Sequence, residues 1–109
     1  MQKDLAIVVF ESLASGTRLD VFKLLVRAAP DGCVAGEIAS RLGIPANNLS
    51  FHLKAMTHAQ LLTSEQEGRF VRYRANLELM YGLIGYLTEE CCQGAEVASC
   101  PPMRLEKPC

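Results

Sequence analysis

The sequence contains no tryptophan, only three tyrosines and four phenylalanines, and no long hydrophobic run. The longest uninterrupted apolar stretch, residues 5–10, is too short for a membrane span or a secretory signal peptide. A core with few aromatic rings must be mainly aliphatic, which suits packed helices better than a β-sandwich. With 109 residues the chain has room for one compact domain. We therefore expect a mainly helical, cytoplasmic protein that contacts no membrane.

Neither sign of charge is in excess, because 11 basic and 12 acidic residues leave a formal net charge of −1. The charges are unevenly distributed along the chain. Residues 37–76 hold five basic and three acidic side chains, whereas residues 77–109 hold two basic and five acidic ones. Such a distribution can orient the middle of the chain toward a polyanion, although an ordinary mixed surface can have the same composition.

Hydrophobic periodicity predicts helices, a β-hairpin and a tail. In chain order, the sequence predicts one helix at 4–14, a second from an N-cap at Ser15 to the turn at Pro30, and two more at 36–42 and 45–59. Two strands follow at 61–64 and 70–74. A last helix begins at Leu77 and ends no later than Gly94. The third and fourth helices, joined by a turn at Gly43, have a helix-turn-helix pattern. The expected fold is mainly α with a small two-stranded wing, in residues 1–93, followed by a flexible cysteine-containing tail at 94–109.

The fourth predicted helix carries the residues that we expect to contact DNA. Leu49, Leu53 and Met56 have helical spacing and should face inward. The candidates for DNA contact are the side chains away from that face: Asn47, Asn48, Ser50, Phe51, His52 and Lys54. Asparagine can bond adenine through two hydrogen bonds, and lysine neutralises phosphate charge. The alternatives are that the asparagines only cap or decorate a surface helix and that the histidine has a structural hydrogen bond.

Two arginines in and after the hairpin loop are further candidates for DNA contact. Gly68 can adopt the positive φ of a tight turn, which would place Arg69 at the tip of the wing. Arg72 follows on the second strand and shares a strand face with Arg74. A basic side chain at the exposed tip of the hairpin, such as Arg69, can enter the minor groove or contact the phosphate backbone. The alternative is that these arginines form a solvated edge that prevents strand pairing between molecules.

The segments LGIPANNLSFHLK at 42–54 and EGRFVRYR at 67–74 closely resemble the ArsR/SmtB family of metal-responsive repressors. The resemblance covers roughly residues 5–90. The sequence matches the Ser-x-His-Leu signature of the family's recognition helix at Ser50, His52 and Leu53, and its wing at Gly68, Arg69 and Tyr73. The resemblance implies a homodimer, built on the first and last helices, that binds an imperfect palindrome in duplex operator DNA. Binding of a metal ion then releases the DNA. Gly82 and Gly85 fit a close helix–helix interface of this kind.

The cysteines indicate where an inducer would bind. Four of the five lie at residue 91 or later, and in a cytosolic chain such a cluster favours metal or redox chemistry over disulfides. Many arsenic-sensing members of the family bind the inducer through Cys-Val-Cys at the start of the first helix of the DNA-binding motif. This chain has Cys33-Val34-Ala35 there and lacks the second sulfur. We therefore interpret Cys33 as a small buried residue.

The predicted inducer site consists of Cys91, Cys92 and Cys100. Neighbouring residues on a helix point about 100° apart, so the first two can share an ion only where the helix end frays. Three thiolates without a nearby imidazole favour a trigonal ion, As(III) or Sb(III), over tetrahedral Zn(II). The resemblance supports this choice, because the family also has arsenic sites after the last helix. Cys109 can substitute as a ligand, and an incidental cluster in the tail is the alternative.

Two other functions use the same features. A thiol redox sensor on this scaffold would oxidise Cys92 with Cys100, or Cys109 between protomers. A helical protein-interaction module would use the apolar first and last helices and never bind DNA. Catalysis is not expected, because the sequence has no phosphate-binding glycine loop and no carboxylate pair in a plausible cleft. Neither His52 nor His58 has an evident nucleophilic partner. No organic cofactor is expected.

Overall fold

The computed structural model describes residues 1–91, which form five helices and a small antiparallel sheet. The elements are α1 (Lys3–Leu13), α2 (Gly16–Arg27), β1 (Cys33–Val34), α3 (Ala35–Leu42), α4 (Ala46–His58), β2 (Leu62–Glu67), β3 (Phe70–Ala75) and α5 (Leu77–Thr88). The predicted fold class, a mainly helical winged helix-turn-helix, is confirmed. The boundary predicted between residues 93 and 94 lies outside the described residues.

The sheet has one strand more than the two-stranded wing predicted from the sequence. Strand β1 pairs with β3 on the side opposite β2, so the order is β1-β3-β2. Cys33 lies opposite Tyr73, and Val34 lies opposite Arg72. A strand of two residues has no alternation of polar and apolar positions, which is why the hydrophobic pattern did not reveal it.

Local signals in the sequence set the ends of the helix-turn-helix region. The Oγ of Ser15 accepts a hydrogen bond from the backbone N–H of Arg18, which confirms the predicted N-cap of α2. Gly43 follows α3 with a left-handed φ of 64°, a conformation that glycine adopts without a steric penalty. Pro45 then provides the N-cap position of α4. The turn between α3 and α4 is therefore as short as the pattern predicted.

The hairpin between β2 and β3 is exposed at residues 63–66 and 68–70. Glu67 pairs with Phe70, so Gly68 and Arg69 form a two-residue loop. Gly68 has a φ of 60°, and a positive φ at the first loop position is what a type II′ turn requires. The loop therefore has the tight geometry expected from the sequence, with Arg69 at its tip.

An aliphatic core joins the inner faces of the helices. Leu49, Leu53 and Met56 of α4 are each at most 1% exposed, as their spacing predicted. The other buried apolar residues are Ala6, Val9, Val21, Phe22, Leu24, Leu25, Cys33, Ile38, Ala59, Leu61, Leu62 and Leu83. Among residues 1–91, no helix is both long enough and apolar enough to cross a membrane.

Helices α1 and α5 bury only part of their apolar surface. On α1, Ile7, Val8 and Phe10 remain 43–45% exposed, and on α5 Leu87 is 57% exposed. Only Leu83 of α5 is fully buried. A side chain placed at Gly85 would meet nothing within 4 Å in the described part of the chain. Helices α1 and α5 thus have apolar surface that residues 1–91 leave uncovered.

Helix α5 ends at Thr88, earlier than the limit of Gly94 predicted from the sequence. Glu89 and Glu90 follow, and acidic side chains at a helix C-terminus are repelled by the negative end of the helix dipole. The backbone N–H of Cys91 donates to the carbonyl oxygen of Thr88 at 2.9 Å. Cys91 therefore lies in a turn just beyond the helix, and not on the helix itself.

Candidate nucleic-acid interface

The outer face of α4 carries a stripe of exposed side chains. Asn47, Phe51, Lys54 and His58 follow one another at intervals of four, three and four residues, and all four are exposed. At about 100° per residue they lie on the side opposite the buried Leu49, Leu53 and Met56. We call these four residues the α4 stripe. His58 was not among the predicted DNA contacts, although helical periodicity places it on the same face.

The other predicted contacts on α4 flank this stripe. Asn48 and Ser50 are exposed on its two sides, whereas His52 is half-buried. Within residues 1–91, Asn47, Asn48 and Lys54 make no side-chain hydrogen bond or ion pair, so their polar groups are available to a ligand. The structure thus brings five of the six predicted α4 residues to the surface on one half of the helix.

His52 has a hydrogen-bond partner that the sequence did not indicate. The Nε of Arg18, on α2, donates to the Nδ1 of His52 at 3.0 Å. Because a guanidinium group has no acceptor, Nδ1 must accept this bond. In a neutral ring the proton then lies on Nε2, which leaves His52 a single outward donor. The sequence left two roles open for His52, a structural hydrogen bond and contact with a DNA base. The bond to Arg18 fits the first role. Contact with a base stays a prediction. The partner lies 34 residues away, and no sequence spacing connects the two.

Phe51 is held by the same pair of side chains. The guanidinium carbon of Arg18 lies 6.0 Å from the centre of the Phe51 ring, within the range of a cation–π contact. The rings of Phe51 and His52 are 5.8 Å apart and tilted by 73°, an edge-to-face arrangement. Phe51 nevertheless remains 67% exposed. Arg18 therefore orients two of the predicted DNA contacts at once.

Arg69 and Arg72, the two arginines predicted for the wing, differ in what they contact. Arg69 is exposed at the hairpin tip and makes no side-chain hydrogen bond or ion pair in the described part of the chain. The Nε of Arg72 donates to both carboxylate oxygens of Glu67, at 3.0 and 2.9 Å. Its Nη1 donates to the carbonyl oxygens of Asp31 and Gly32, at 3.4 and 3.3 Å. The hydrogen bond to Glu67 also raises the pKa of Arg72.

Arg74 repeats this arrangement two residues further along the strand. It pairs with Glu65 at 2.8 Å and donates through Nε to the carbonyl oxygen of Pro30 at 3.1 Å. The two arginines therefore hold the loop between α2 and β1 against β3. Gly32 permits this close approach, since a Cβ there would collide with the backbone carbonyl oxygen of Tyr73. The DNA contact predicted for Arg72 stays a prediction, and its side chain already stabilises the base of the wing.

The predicted inducer ligands lie mostly beyond the described part of the chain. Cys91 is exposed, whereas Cys92 and Cys100 lie outside the described residues. Within residues 1–91 there is no group of three or more His, Cys, Asp or Glu side chains that could hold a metal ion. Cys33 is 2% exposed, and burial, followed by the neighbouring Glu37, raises the pKa of its thiol. A buried thiol with a raised pKa is a poor source of thiolate, which supports its exclusion from the inducer site.

Comparison with known proteins connects this surface to a family. A family model described as a helix-turn-helix domain matches residues 13–65. The transcriptional regulator CmtR of Mycobacterium tuberculosis is 31% identical over 81% of this chain and 79% of CmtR. The arsenical resistance operon repressor of Bacillus subtilis is 34% identical over 76% of this chain and 74% of that repressor. The chain belongs to the ArsR/SmtB family.

Solved structures show the same fold. An ArsR-like transcriptional regulator from Rhodococcus sp. RHA1 superposes with a TM-score of 0.70 at 28% identity, over 79% of this chain and 78% of that one. The homodimeric winged helix-turn-helix domain of Mb0332 from Mycobacterium bovis has a TM-score of 0.64 at 24% identity, over 80% and 81% of the two chains. The protein is thus an ArsR-family transcriptional repressor with a winged helix-turn-helix DNA-binding domain, and α4 is the second helix of its helix-turn-helix. These relatives are transcriptional regulators, not enzymes.

Proposed function

We propose that this ArsR-family repressor is a cytoplasmic homodimer that binds palindromic operator DNA and releases it on binding As(III) or Sb(III) through Cys91, Cys92 and Cys100. The proposed DNA binding rests on the α4 stripe, whose polar side chains are exposed and mostly free of partners within the described residues. The inducer half rests on the position of Cys91 at the end of α5 and on the thiol chemistry of the tail.

The DNA-contacting residues have complementary tasks. The N-terminal part of a recognition helix reaches base edges, so Asn47, Asn48 and Ser50 are placed to bond bases. Lys54, further along the helix, is placed to neutralise a phosphate, and Arg69 can do the same from the wing tip. Phe51 and His52, both oriented by Arg18, lie between these groups.

The apolar surfaces of α1 and α5 support a homodimer. Ile7, Val8 and Phe10 on one helix and Leu87 on the other expose aliphatic and aromatic surface that a second copy would cover. Gly82 and Gly85 lie on the exposed side of α5, where the lack of a side chain permits a second helix to approach closely. A two-fold symmetric dimer would present two α4 stripes to two successive turns of the major groove.

The inducer site lies next to that interface. Cys91 follows α5 within one turn, so an ion bound there and by Cys92 and Cys100 would fix the tail to the end of an interface helix. Trigonal As(III) or Sb(III) needs three thiolates and no fourth ligand, which matches the donors available. The relative with 34% identity is an arsenical resistance operon repressor, which supports the choice of ion. A typical allosteric coupling of about 1–3 kcal/mol would weaken operator binding roughly 5–150-fold.

Fluorescence anisotropy of a labelled operator tests this proposal. We expect arsenite to release the operator from the wild-type protein and to have little effect on Cys91→Ser, Cys92→Ser and Cys100→Ser. Cys33→Ala is the matched control, because it removes a cysteine that lies outside the proposed site and should leave the response intact. The stoichiometry of bound arsenic should be one ion per chain.

Four outcomes would contradict parts of the proposal. A full arsenite response in all three serine variants rejects the inducer site. Release by peroxide in the absence of metal, without a response to arsenite, identifies a thiol redox sensor instead. DNA binding without steep salt dependence, or none at all, rejects the operator function and favours a protein-interaction module. Sedimentation equilibrium that finds only monomers would reject the homodimer.

A further inference from the structure

Phe51 has the largest exposed fraction among the exposed large apolar side chains of residues 1–91. Its side chain is 67% exposed, although it lies at the centre of the otherwise polar α4 stripe, between Asn47 and Lys54. Single apolar residues on a protein surface are common and by themselves indicate nothing. Phe51 differs because it lies on the face that a recognition helix presents to DNA and because its ring is fixed there.

The ring is held from one side by a small cluster of side chains. Arg18 lies over the ring at 6.0 Å, and the edge-to-face contact with His52 is itself fixed by the 3.0 Å hydrogen bond from Arg18 to His52. An aromatic ring oriented before binding loses little conformational entropy when it meets a ligand. Phe51 is therefore a pre-oriented apolar contact on an otherwise hydrogen-bonding surface.

The major groove offers one apolar group to such a ring. Guanine, cytosine and adenine present hydrogen-bond donors and acceptors there, whereas thymine also presents its 5-methyl group. We infer that Phe51 contacts a thymine 5-methyl group and makes a thymine in each half-site part of the sequence that the repressor recognises. This inference rests on the proposed operator binding and adds a specific base contact to it.

The position of Asn47 indicates where this thymine should lie. Asn47 precedes Phe51 by four residues on the same stripe, which separates them by about 6 Å along the helix axis. Successive base pairs are about 3.4 Å apart along the duplex axis. If Asn47 bonds an adenine, the thymine contacted by Phe51 therefore lies within about two base pairs of it, the full separation being reached when α4 is aligned with the duplex axis. Each half-site is expected to hold an adenine and a thymine at this separation.

The test begins with a search for the operator. The full-length protein selects bound sequences from a pool of randomised DNA duplexes, and the enriched duplex is then resynthesised with each thymidine replaced in turn by deoxyuridine. This replacement removes only the 5-methyl group. Affinities are measured by fluorescence anisotropy for the wild type, Phe51→Ala and Phe51→Leu. Phe70→Ala is the matched control, because Phe70 is a 64% exposed phenylalanine on the wing strand.

We expect one thymidine per half-site whose replacement weakens wild-type binding about fourfold, the effect of one methyl group removed from an apolar contact. Phe51→Ala should bind the thymidine and deoxyuridine operators equally well. Phe51→Leu should keep part of the difference, and Phe70→Ala should keep all of it. Circular dichroism of each variant verifies that the fold is retained.

The outcomes separate this inference from the function on which it rests. An operator at which no deoxyuridine replacement weakens wild-type binding overturns the inference and leaves operator binding intact. The same conclusion follows if Phe51→Ala retains the roughly fourfold difference. A selection that enriches no sequence at all contradicts the proposed operator binding, and the thymine contact is then rejected with it.

Discussion

Helix α4, the proposed recognition helix, and the wing strand β3 both present polar side chains to solvent, but they differ in how those side chains are bonded. On α4, Asn47 and Lys54 have no side-chain partner within residues 1–91. On β3, Arg72 and Arg74 are tied to two glutamates of β2 and to three backbone carbonyl oxygens. A polar group that is already bonded must give up that bond before it can contact DNA. The comparison supports the proposal that α4 contacts the DNA and that β3 shapes the surface around it.

The largest effect is expected from Asn47→Ala on the recognition helix. Removal of a bidentate hydrogen bond to adenine costs about 1–3 kcal/mol, which corresponds to an operator affinity weaker by roughly 5–150-fold. The salt dependence of binding should not change, because asparagine releases no counterion from a phosphate. Fluorescence anisotropy over a range of salt concentrations measures both quantities. Thr63→Ala, an exposed position on β2, is the control and should bind like the wild type.

An Asn47→Ala variant with unchanged affinity for its selected operator would contradict the proposal that the unbonded side chain of Asn47 contacts DNA. Asn47 would then only decorate the surface of the helix, which is the alternative that the sequence already allowed. Recognition would in that case depend on the remaining polar side chains of the helix.

A smaller effect should distinguish the two arginines of the wing. Arg69→Gln removes a free charge from the hairpin tip, so the slope of log affinity against log salt should fall by about 0.9 for each phosphate that the wing no longer neutralises. Arg72→Gln removes a charge that is already paired with Glu67, so its slope should stay near the wild-type value. We expect Arg72→Gln instead to lower the melting temperature, since it removes the bonds from the wing to the loop at Asp31 and Gly32.

The salt dependence of Arg69→Gln and Arg72→Gln can be compared directly, because both variants replace arginine by the same uncharged residue. A slope reduced equally by both replacements would show that Arg72 leaves Glu67 to contact DNA, as the sequence predicted. If neither replacement changes the slope of log affinity against log salt, the wing is not part of the DNA interface.

The sequence predicted the elements with strong periodicity and missed contacts between distant residues. The inward face of α4, the Ser15 cap and the turn at Gly68 follow from local spacing and backbone preference, so they could be predicted. The bond from Arg18 to His52 could not, since it joins residues 34 positions apart through tertiary packing. The same limitation applies to the bonds from Arg72 to the loop before β1. The sequence predicted which residues contact DNA, but not which of their side chains are already bonded within the described residues.

The smallest expected effect concerns Cys33 on β1, the strand that pairs with β3, and it is an effect on the stability of the folded protein. Burial and the nearby Glu37 raise the pKa of its thiol above the ordinary value of 9.0. The folded state therefore keeps this proton at a pH where the unfolded chain has begun to lose it. The contribution of this thiol to the free energy of unfolding is fully present below about pH 9. It declines as the pH rises toward the pKa of the folded state, with a slope of at most about 1.4 kcal/mol per pH unit for one proton.

Urea unfolding of the wild type and Cys33→Ala between about pH 8 and pH 10, on either side of the ordinary thiol pKa, measures this contribution. The two proteins differ only at residue 33, so the difference between the two curves isolates the thiol. We expect the stability of the wild type to fall faster than that of Cys33→Ala across this range. Parallel curves would mean that the thiol is as accessible to ionisation in the folded protein as in the unfolded chain. Pairing of β1 with β3 would then not seal this side of the wing from solvent, and Cys33 would again be a candidate thiolate.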